Sequence, residues 1–180
     1  MDELFPQHRR SKGKHVSASI FKIMQSLYPD KFTDRPIDIL RANLGNAFEK
    51  TIAAGLHQRD PHRYVIPGEL EHEGWYGTPD LWDMGEDGLD FRTIELKLTW
   101  ASMKRASDIE DAWFWRYWTQ LKAYAHMAGT TKGTLMICFI NGNYSRNMDD
   151  PDSGPNILAW EDEWTPEELF DNWQMIKAQC

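Results

Sequence analysis

Apolar residues in the first third of the chain recur at the spacing of an α-helix. They predict a long amphipathic helix over residues 36–57. Its apolar positions are Ile39, Leu40, Leu44, Phe48, Ile52 and Leu56. A shorter helix is predicted over about residues 18–28, with Ser17 as its N-cap.

The middle of the chain changes to the shorter period of β-strands. Residues 63–70 and 75–83 fit strands, and the glycines of residues 85–88 indicate a turn after them. Residues 90–98 alternate between polar and apolar side chains, which predicts a further strand. One face of this strand is apolar: Ile94, Leu96 and Leu98.

The second half returns to helices and ends in mixed elements. Asp108 is a candidate N-cap for a helix through about residue 128, and residues 133–141 form an apolar strand of the kind that is covered on both faces. A short strand is predicted at 157–161, and Thr165 begins a helix with Pro and two acids in its first turn. This order predicts an α/β protein of packed layers around a mixed sheet.

Composition favours one folded domain. Hydrophobic residues make up 41% of the 180 residues and charged residues 27%, with a mean hydropathy of −0.63. No apolar stretch is long enough to span a membrane, and the N-terminus lacks the apolar core of a signal peptide. We therefore expect no membrane partner, a cytoplasmic location, a flexible basic segment at residues 1–14 and a single domain at residues 15–180.

The charge is distributed unevenly along the chain. The net charge is −8, with +4 in residues 1–63 and −12 in residues 64–180. This total argues against a protein that coats nucleic acid through bulk charge. It is compatible with an enzyme whose carboxylates hold metal ions, because the field that a substrate meets is local.

Candidate chemistry begins with the strand at residues 90–98. Glu95 and Lys97 are two residues apart and so project from the same side, opposite the apolar face. Asp80 follows Gly77-Thr-Pro on the neighbouring predicted strand, where it can lie close to Glu95. Two nearby carboxylates repel each other unless a cation lies between them, and hard divalent cations take oxygen ligands. Taken alone, Glu95 and Lys97 are also typical of a surface salt bridge.

Two predicted helices carry further polar pairs. Glu49 lies four residues after Gly45 and therefore on the same helix face. Gln120 and Tyr124 share a face of a later helix, where they can bond a phosphate or a metal-bound water. Each pair alone is also compatible with an ordinary helix surface.

Together these residues form an ordered set of four motifs. Gly45-x-x-x-Glu49, Gly77-Thr-Pro-Asp80, Glu95-Leu-Lys97 and Gln120-x-x-x-Tyr124 follow one another on helix, strand, strand and helix. This set resembles the RecB-like branch of the PD-(D/E)XK nuclease superfamily, which includes phage and CRISPR-associated exonucleases. The resemblance covers about residues 15–141. It implies a three-layer α/β/α, restriction-endonuclease-like core with a central mixed sheet.

The resemblance also implies roles for individual residues. The implied ligands of Mg²⁺ or Mn²⁺ are Glu49, Asp80, Glu95 and the backbone carbonyl of Leu96. Lys97 would be the catalytic lysine beside the catalytic carboxylates Asp80 and Glu95. The implied DNA-binding residues are Gln120 and Tyr124, and we add Arg41 and Lys50 because they lie on the helix that carries Glu49.

Two features depart from the pattern of this family. The helix position is often His in relatives but is Glu49 here, and a carboxylate is still a suitable ligand for a hard cation. Some relatives bind an iron–sulfur cluster through four cysteines, whereas this chain has only two. We therefore expect no iron–sulfur cluster.

The resulting hypothesis is a metal-dependent DNA nuclease. An exonuclease in recombination or end processing is the first interpretation, encoded by a phage and acting in the host cytoplasm, with DNA and a recombination or single-strand annealing protein as partners. A structure- or site-specific endonuclease is one alternative. A catalytically silent DNA-binding module on the same fold is the other.

Overall fold

The computed structural model describes residues 12–29, 36–86, 88, 91–102, 112–143 and 154–178. These residues form four helices and eight strands. The helices are α1 Val16–Leu27, α2 Pro36–Arg59, α3 Ala112–Ala128 and α4 Pro166–Lys177. The strands are β1 Lys14–His15, β2 Tyr64–Val65, β3 Leu70–His72, β4 Trp75–Gly77, β5 Leu81–Asp83, β6 Arg92–Ser102, β7 Lys132–Asn143 and β8 Gly154–Glu163.

The larger sheet has five strands in the order β2-β5-β6-β7-β8. Strands β6 and β7 are parallel, and the other three pairs are antiparallel, so the sheet is mixed. A parallel pair needs a crossover connection, and α3 lies between β6 and β7 in the sequence. In this order of strands, the long strand β6 lies in the middle of the sheet, between β5 and β7.

Helices cover this sheet on both faces. On one face, Leu135, Ile137 and Phe139 of β7 pack with buried residues of α3 and with Leu169 of α4. On the other face, Ile94 and Leu96 of β6 pack against Ala53 of α2. The result is the three-layer α/β/α arrangement predicted from the sequence.

A second, smaller sheet has the order β1-β4-β3. Trp75 of this sheet packs in a cluster with residues of α1, α3 and α4. The contact with α3 is close: a Cβ atom at Gly77 would lie 2.7 Å from Cε1 of Tyr124, too near for any side chain. Lys14, the last residue of the predicted flexible segment, pairs with Trp75 through β1. Residues 1–11 lie outside the described residues, and their flexibility stays a prediction.

Most of the predicted helices and strands are present, and some of them are longer than predicted. Helices over residues 18–28 and 36–57 correspond to α1 and α2. The predicted short strand at 157–161 is the ten-residue β8, whose side chains alternate between half-buried and exposed over its first seven residues. The predicted helix start at Thr165 is confirmed as a capping box, in which Thr165 and Glu168 each bond the other's backbone N–H.

Four local predictions are wrong or fall outside the described residues. Ser17 does not cap α1, which begins two residues earlier than predicted, at Val16, with His15 at the cap and no side-chain cap bond. Residues 75–83 do not form one strand, because the chain leaves the small sheet after β4 and enters the large sheet at β5. Residues 63–70 are likewise divided between β2 and β3. Asp108 lies outside the described residues.

The helices show no membrane-spanning character. None of those in the described part of the chain is both long and apolar enough to cross a membrane.

Replacing Gly77 by alanine is expected to destabilise the protein. The added methyl group would meet the ring of Tyr124, which is 2% exposed and cannot move away freely. Overpacking of this kind costs about 1–3 kcal/mol. Urea unfolding measures the loss, with Gly68→Ala as the control, because a Cβ at Gly68 meets no atom of the described residues within 4 Å. Equal stabilities of the two variants would contradict the packing.

Candidate active site

The side chain of Lys97 is the centre of a buried cluster of charges. Its Nζ lies 2.5 Å from Oε1 of Glu95, 3.0 Å from Oε1 of Glu49 and 3.8 Å from Oδ2 of Asp80. It also donates a hydrogen bond of 2.9 Å to the carbonyl oxygen of Leu96. The structure thus brings together all five groups for which the sequence predicted a catalytic or metal-binding role.

Three elements supply these side chains. Glu95 and Lys97 project from the same side of β6, and Glu49 comes from α2, which packs beside that strand. Asp80 is the residue just before β5, and its Oδ2 accepts a 2.8 Å hydrogen bond from the backbone N–H of Leu96. That bond fixes the position of Asp80 relative to β6.

The cluster is more deeply buried than the sequence predicted. Glu95 was expected to project away from the core, but its side chain has no exposed surface. The reason is that α3 covers the face of β6 that carries Glu95, as well as the neighbouring face of β7. The other three side chains are 13–20% exposed, so the cluster opens to solvent beyond Glu95.

Glu95 has unsatisfied hydrogen-bonding capacity. Within the described residues, neither of its carboxylate oxygens receives a hydrogen bond of suitable geometry, although Lys97 is in ionic contact with one of them. A buried carboxylate in this state is costly. It is the state expected of a carboxylate that has a further cationic or hydrogen-bonding ligand.

The oxygen donors fit a hard divalent cation. Three carboxylates and the carbonyl of Leu96 are ligand types that Mg²⁺ and Mn²⁺ prefer. In the described residues, no three acidic, histidine or cysteine side chains already surround one point as ligands. The Lys97 ammonium lies among the carboxylates instead, so a cation held by all three requires Nζ to move.

The pKa values of the cluster reflect burial and mutual charge. Burial raises the pKa of Asp80 to about 6, with Lys97 opposing and Glu49 adding to the increase. Burial likewise raises the pKa of Glu95 well above its usual range. Burial alone would lower the pKa of Lys97, but the three surrounding carboxylates outweigh it and hold that pKa well above its ordinary value. Lys97 is therefore positively charged at neutral pH.

The predicted DNA-binding pair on α3 lies next to the cluster. Nε2 of Gln120 donates a 3.0 Å hydrogen bond to the hydroxyl of Tyr124. Tyr124 is buried, and burial together with the charge of Glu95 raises the pKa of its hydroxyl. Gln120 is half-buried. The roles of both residues in DNA binding stay predictions.

The other two predicted DNA-binding residues are exposed on α2. Lys50 follows Glu49, and Arg41 lies two turns before it. The guanidinium of Arg41 lies over the ring of Trp100, 5.9 Å from its centroid. The predicted strand ended at residue 98 and so left out Trp100, whereas β6 continues to Ser102.

Comparisons with known proteins identify the fold. No protein-family model matches the sequence, and no curated protein does. The structure is similar to an alkaline exonuclease, LHK-Exo, from Laribacter hongkongensis, with a TM-score of 0.59 and 14% identity over 99% of this chain and 90% of that chain. The same exonuclease in complex with dAMP gives a TM-score of 0.54 at 14% identity, with the same coverage of both chains.

A second neighbour is a phage-related exonuclease from Haemophilus somnus 129PT. It has a TM-score of 0.50 and 12% identity over 91% of this chain and 78% of that chain. At these identities the likeness shows the fold alone. The chain has the restriction-endonuclease-like α/β/α fold, which confirms the predicted fold class.

Replacing Lys97 by methionine is expected to lower the stability of the metal-free protein. The change leaves the buried Glu95 without an opposite charge, and breaking a buried ion pair in this way costs about 3–5 kcal/mol. The measurement is urea unfolding in EDTA. Adding Glu95→Gln to the Lys97→Met variant should recover much of the loss, because the uncompensated charge is then removed.

The control is Lys177→Met. Lys177 pairs with the exposed carboxylate of Glu73 on the surface. Loss of a surface pair costs about 1 kcal/mol or less. If Lys97→Met and Lys177→Met destabilised the protein equally, the buried cluster would not contribute as described.

Proposed function

We propose that this protein is a metal-dependent DNA nuclease with a site of the RecB-like type, acting as an exonuclease. One observation carries the proposal: Glu49, Asp80 and Glu95 converge on Lys97, and Glu95 is a buried carboxylate with hydrogen-bonding capacity to spare. The similarity of the fold to two exonucleases supports it.

The proposed metal ligands are Glu49, Asp80, Glu95 and the backbone carbonyl of Leu96. Bound Mg²⁺ or Mn²⁺ would supply the two functions that phosphodiester hydrolysis needs, a water of lowered pKa and neutralisation of charge on the phosphate. We expect no iron–sulfur cluster, because the sequence has only two cysteines.

In this proposal the Lys97 ammonium pairs with the carboxylates in the absence of another cation and with the substrate phosphate in its presence. In the structure its ammonium neutralises the carboxylates. Once another cation balances those carboxylates, the same ammonium can donate to the scissile phosphate and stabilise the charge that develops there.

The binding residues must attract phosphate to an acidic protein. The net charge is −8, so the attraction has to be local. We assign it to Arg41 and Lys50 on α2, with Gln120 and Tyr124 of α3 contributing polar groups. The complex of LHK-Exo with dAMP shows that a protein of this fold is found with a nucleotide, which supports DNA as the ligand here.

The wider role follows from this activity. We propose end processing or recombination in the cytoplasm, in a host cell if the chain is encoded by a phage, with a recombination or single-strand annealing protein as partner. A structure- or site-specific endonuclease is the alternative within the same chemistry. The presence of every proposed catalytic group disfavours a silent DNA-binding module.

Divalent cations are expected to stabilise the protein. A ligand that binds only the folded state at a hundred times its Kd adds about 2.7 kcal/mol, which raises Tm by several degrees. Thermal unfolding in Mg²⁺ or Mn²⁺ against EDTA measures this. Glu95→Gln should remove the increase, whereas Glu167→Gln, on the exposed first turn of α4, should retain it. No increase at millimolar Mg²⁺ or Mn²⁺ would count against the metal site.

Cleavage of DNA should depend on the charged cluster. Lys97→Met and Asp80→Asn are each expected to lower the rate with Mg²⁺ by about a hundredfold or more, since they remove a cation that acts on the phosphate and a metal ligand. Rates are measured below the unfolding transition of each variant, with Lys177→Met as the control. Near-normal cleavage by either folded variant would overturn the assignment.

The form of the DNA distinguishes the alternatives. The substrates are end-labelled linear, nicked and covalently closed circular molecules. An exonuclease degrades the linear DNA and leaves the closed circle intact, whereas an endonuclease cuts the circle. Binding without cleavage of any substrate would favour the silent module.

A further inference from the structure

The strand that carries the cluster ends in a bulge. Thr99 of β6 pairs with Phe139 of β7, and Ser102 pairs with Asn141, so β6 has one more residue than β7 between these pairs. At the bulge, two side chains form hydrogen bonds with backbone groups of β6 that lie between the paired residues. Thr99 accepts from the N–H of Ala101 at 3.1 Å, and the amide of Asn141 donates to the carbonyl of Trp100 at 2.6 Å.

Trp100 is one of the two residues of β6 within this bulge. A bulge redirects side chains and strengthens the local twist, and bulges are common beside active sites. Trp100 is 40% exposed. It lies three residues beyond Lys97 on the same strand. The guanidinium of Arg41 over its ring adds a planar cation to the aromatic surface.

Two residues on one face of helix α2 contact residues of β6. Arg41, Gly45 and Glu49 are spaced four residues apart and share that face. Glu49 contacts Lys97, and Arg41 contacts Trp100. Eight residues of helix separate the two contacts by about 12 Å, which corresponds to three or four nucleotides of a stacked strand.

The space between the two contacts is open at Gly45. A Cβ atom built there would meet no atom of the described residues within 4 Å. Glycine weakens a helix interior relative to alanine, and packing among these residues does not require it here. The face of α2 therefore leaves room for a bound chain between the charged cluster and Trp100.

We propose that Trp100, supported by Arg41, stacks on an unpaired base of a nucleic-acid strand that passes over Gly45 and places a phosphate at the Lys97 cluster. The proposal rests on the proposed nuclease function and adds the class of substrate. Bases inside a duplex are covered by their neighbours on both faces, so an exposed indole can stack only on an unpaired or terminal base. The strand would also have to lie along the roughly 12 Å of α2 between the two contacts, so the substrate that we propose is a single-stranded end.

The first experiment measures binding in Ca²⁺ with a short labelled single strand and with its blunt duplex. Stacking on an aromatic ring contributes enough that Trp100→Ala should weaken single-strand binding by about five- to a hundredfold. Trp100→Phe should retain most of the affinity because it keeps a ring. Phe170→Ala is the control, since Phe170 is an exposed aromatic residue on α4, away from the cluster. Duplex binding should change less than single-strand binding.

The second experiment needs no variant of Trp100. An oligonucleotide with 2-aminopurine at successive positions should show quenching at one position, three or four nucleotides from the phosphate that is cleaved in Mg²⁺. Quenching spread evenly over all positions would contradict a fixed platform.

The third experiment tests the path of the strand with two glycines of the same helix. A Cβ atom at Gly45 or at Gly55 meets no described atom within 4 Å, so glutamine at either position should leave Tm unchanged or raised. Only Gly45→Gln should weaken single-strand binding. Equal affinities of Gly45→Gln and Gly55→Gln would contradict the path.

The outcomes separate this inference from the function on which it rests. A wild-type protein that neither binds nor cleaves nucleic acid would overturn both. A wild-type protein that cleaves DNA, with Trp100→Ala binding single strands equally well, would overturn the platform alone. The exposed Trp100 would then belong to another kind of contact, such as a protein partner.

Discussion

The Lys97 ammonium is the interaction on which the arrangement of the site depends. Three carboxylates lie within 4 Å of it, and one of them, Glu95, has no contact with solvent. Without a cation among them these carboxylates would repel one another and would separate or take up protons. The ammonium therefore holds α2, the residue before β5, and β6 in one geometry.

The position of β6 in the sheet explains why such a cluster can form. Because β6 is a central strand with α2 on one side and α3 on the other, side chains on both of its faces are covered. A charged pair on a central strand therefore experiences a low dielectric, which strengthens every interaction within it. Beyond Lys97 the strand emerges from this cover, and its next exposed side chain is the ring of Trp100. One strand thus leads from the buried charges to the surface.

The sequence predicted the parts of the molecule that depend on local pattern. The period of α2, the apolar run of β7 and the capping box at Thr165 are properties of neighbouring residues, and each is present. The convergence of Glu49, Asp80, Glu95 and Lys97 is not local. The strand pattern predicted that Glu95, Lys97 and Asp80 lie close together, whereas Glu49 was added to them because four motifs occur in the order known for one family.

The errors concern features that tertiary packing decides. The chain changes sheet between Gly77 and Leu81, where Pro79 interrupts the run of residues 75–83, but the sequence does not show that β5 joins a different sheet. The burial of Glu95 depends on α3, which lies far along the sequence. Trp100 extends β6 only because Thr99 and Asn141 bond the bulge, and Asn141 belongs to another strand.

Strand β8 has a consequence for how this protein behaves at high concentration. Among the described strands it is the last of the large sheet and pairs only with β7, so its outer edge could accept a strand from a second molecule. That edge ends in three consecutive acids, Glu161, Asp162 and Glu163, and the carboxylate of Asp162 already accepts the N–H of Glu163. A second β8 aligned parallel and in register beside the first would bring two such acidic runs together. Charge repulsion therefore opposes a parallel association through this edge.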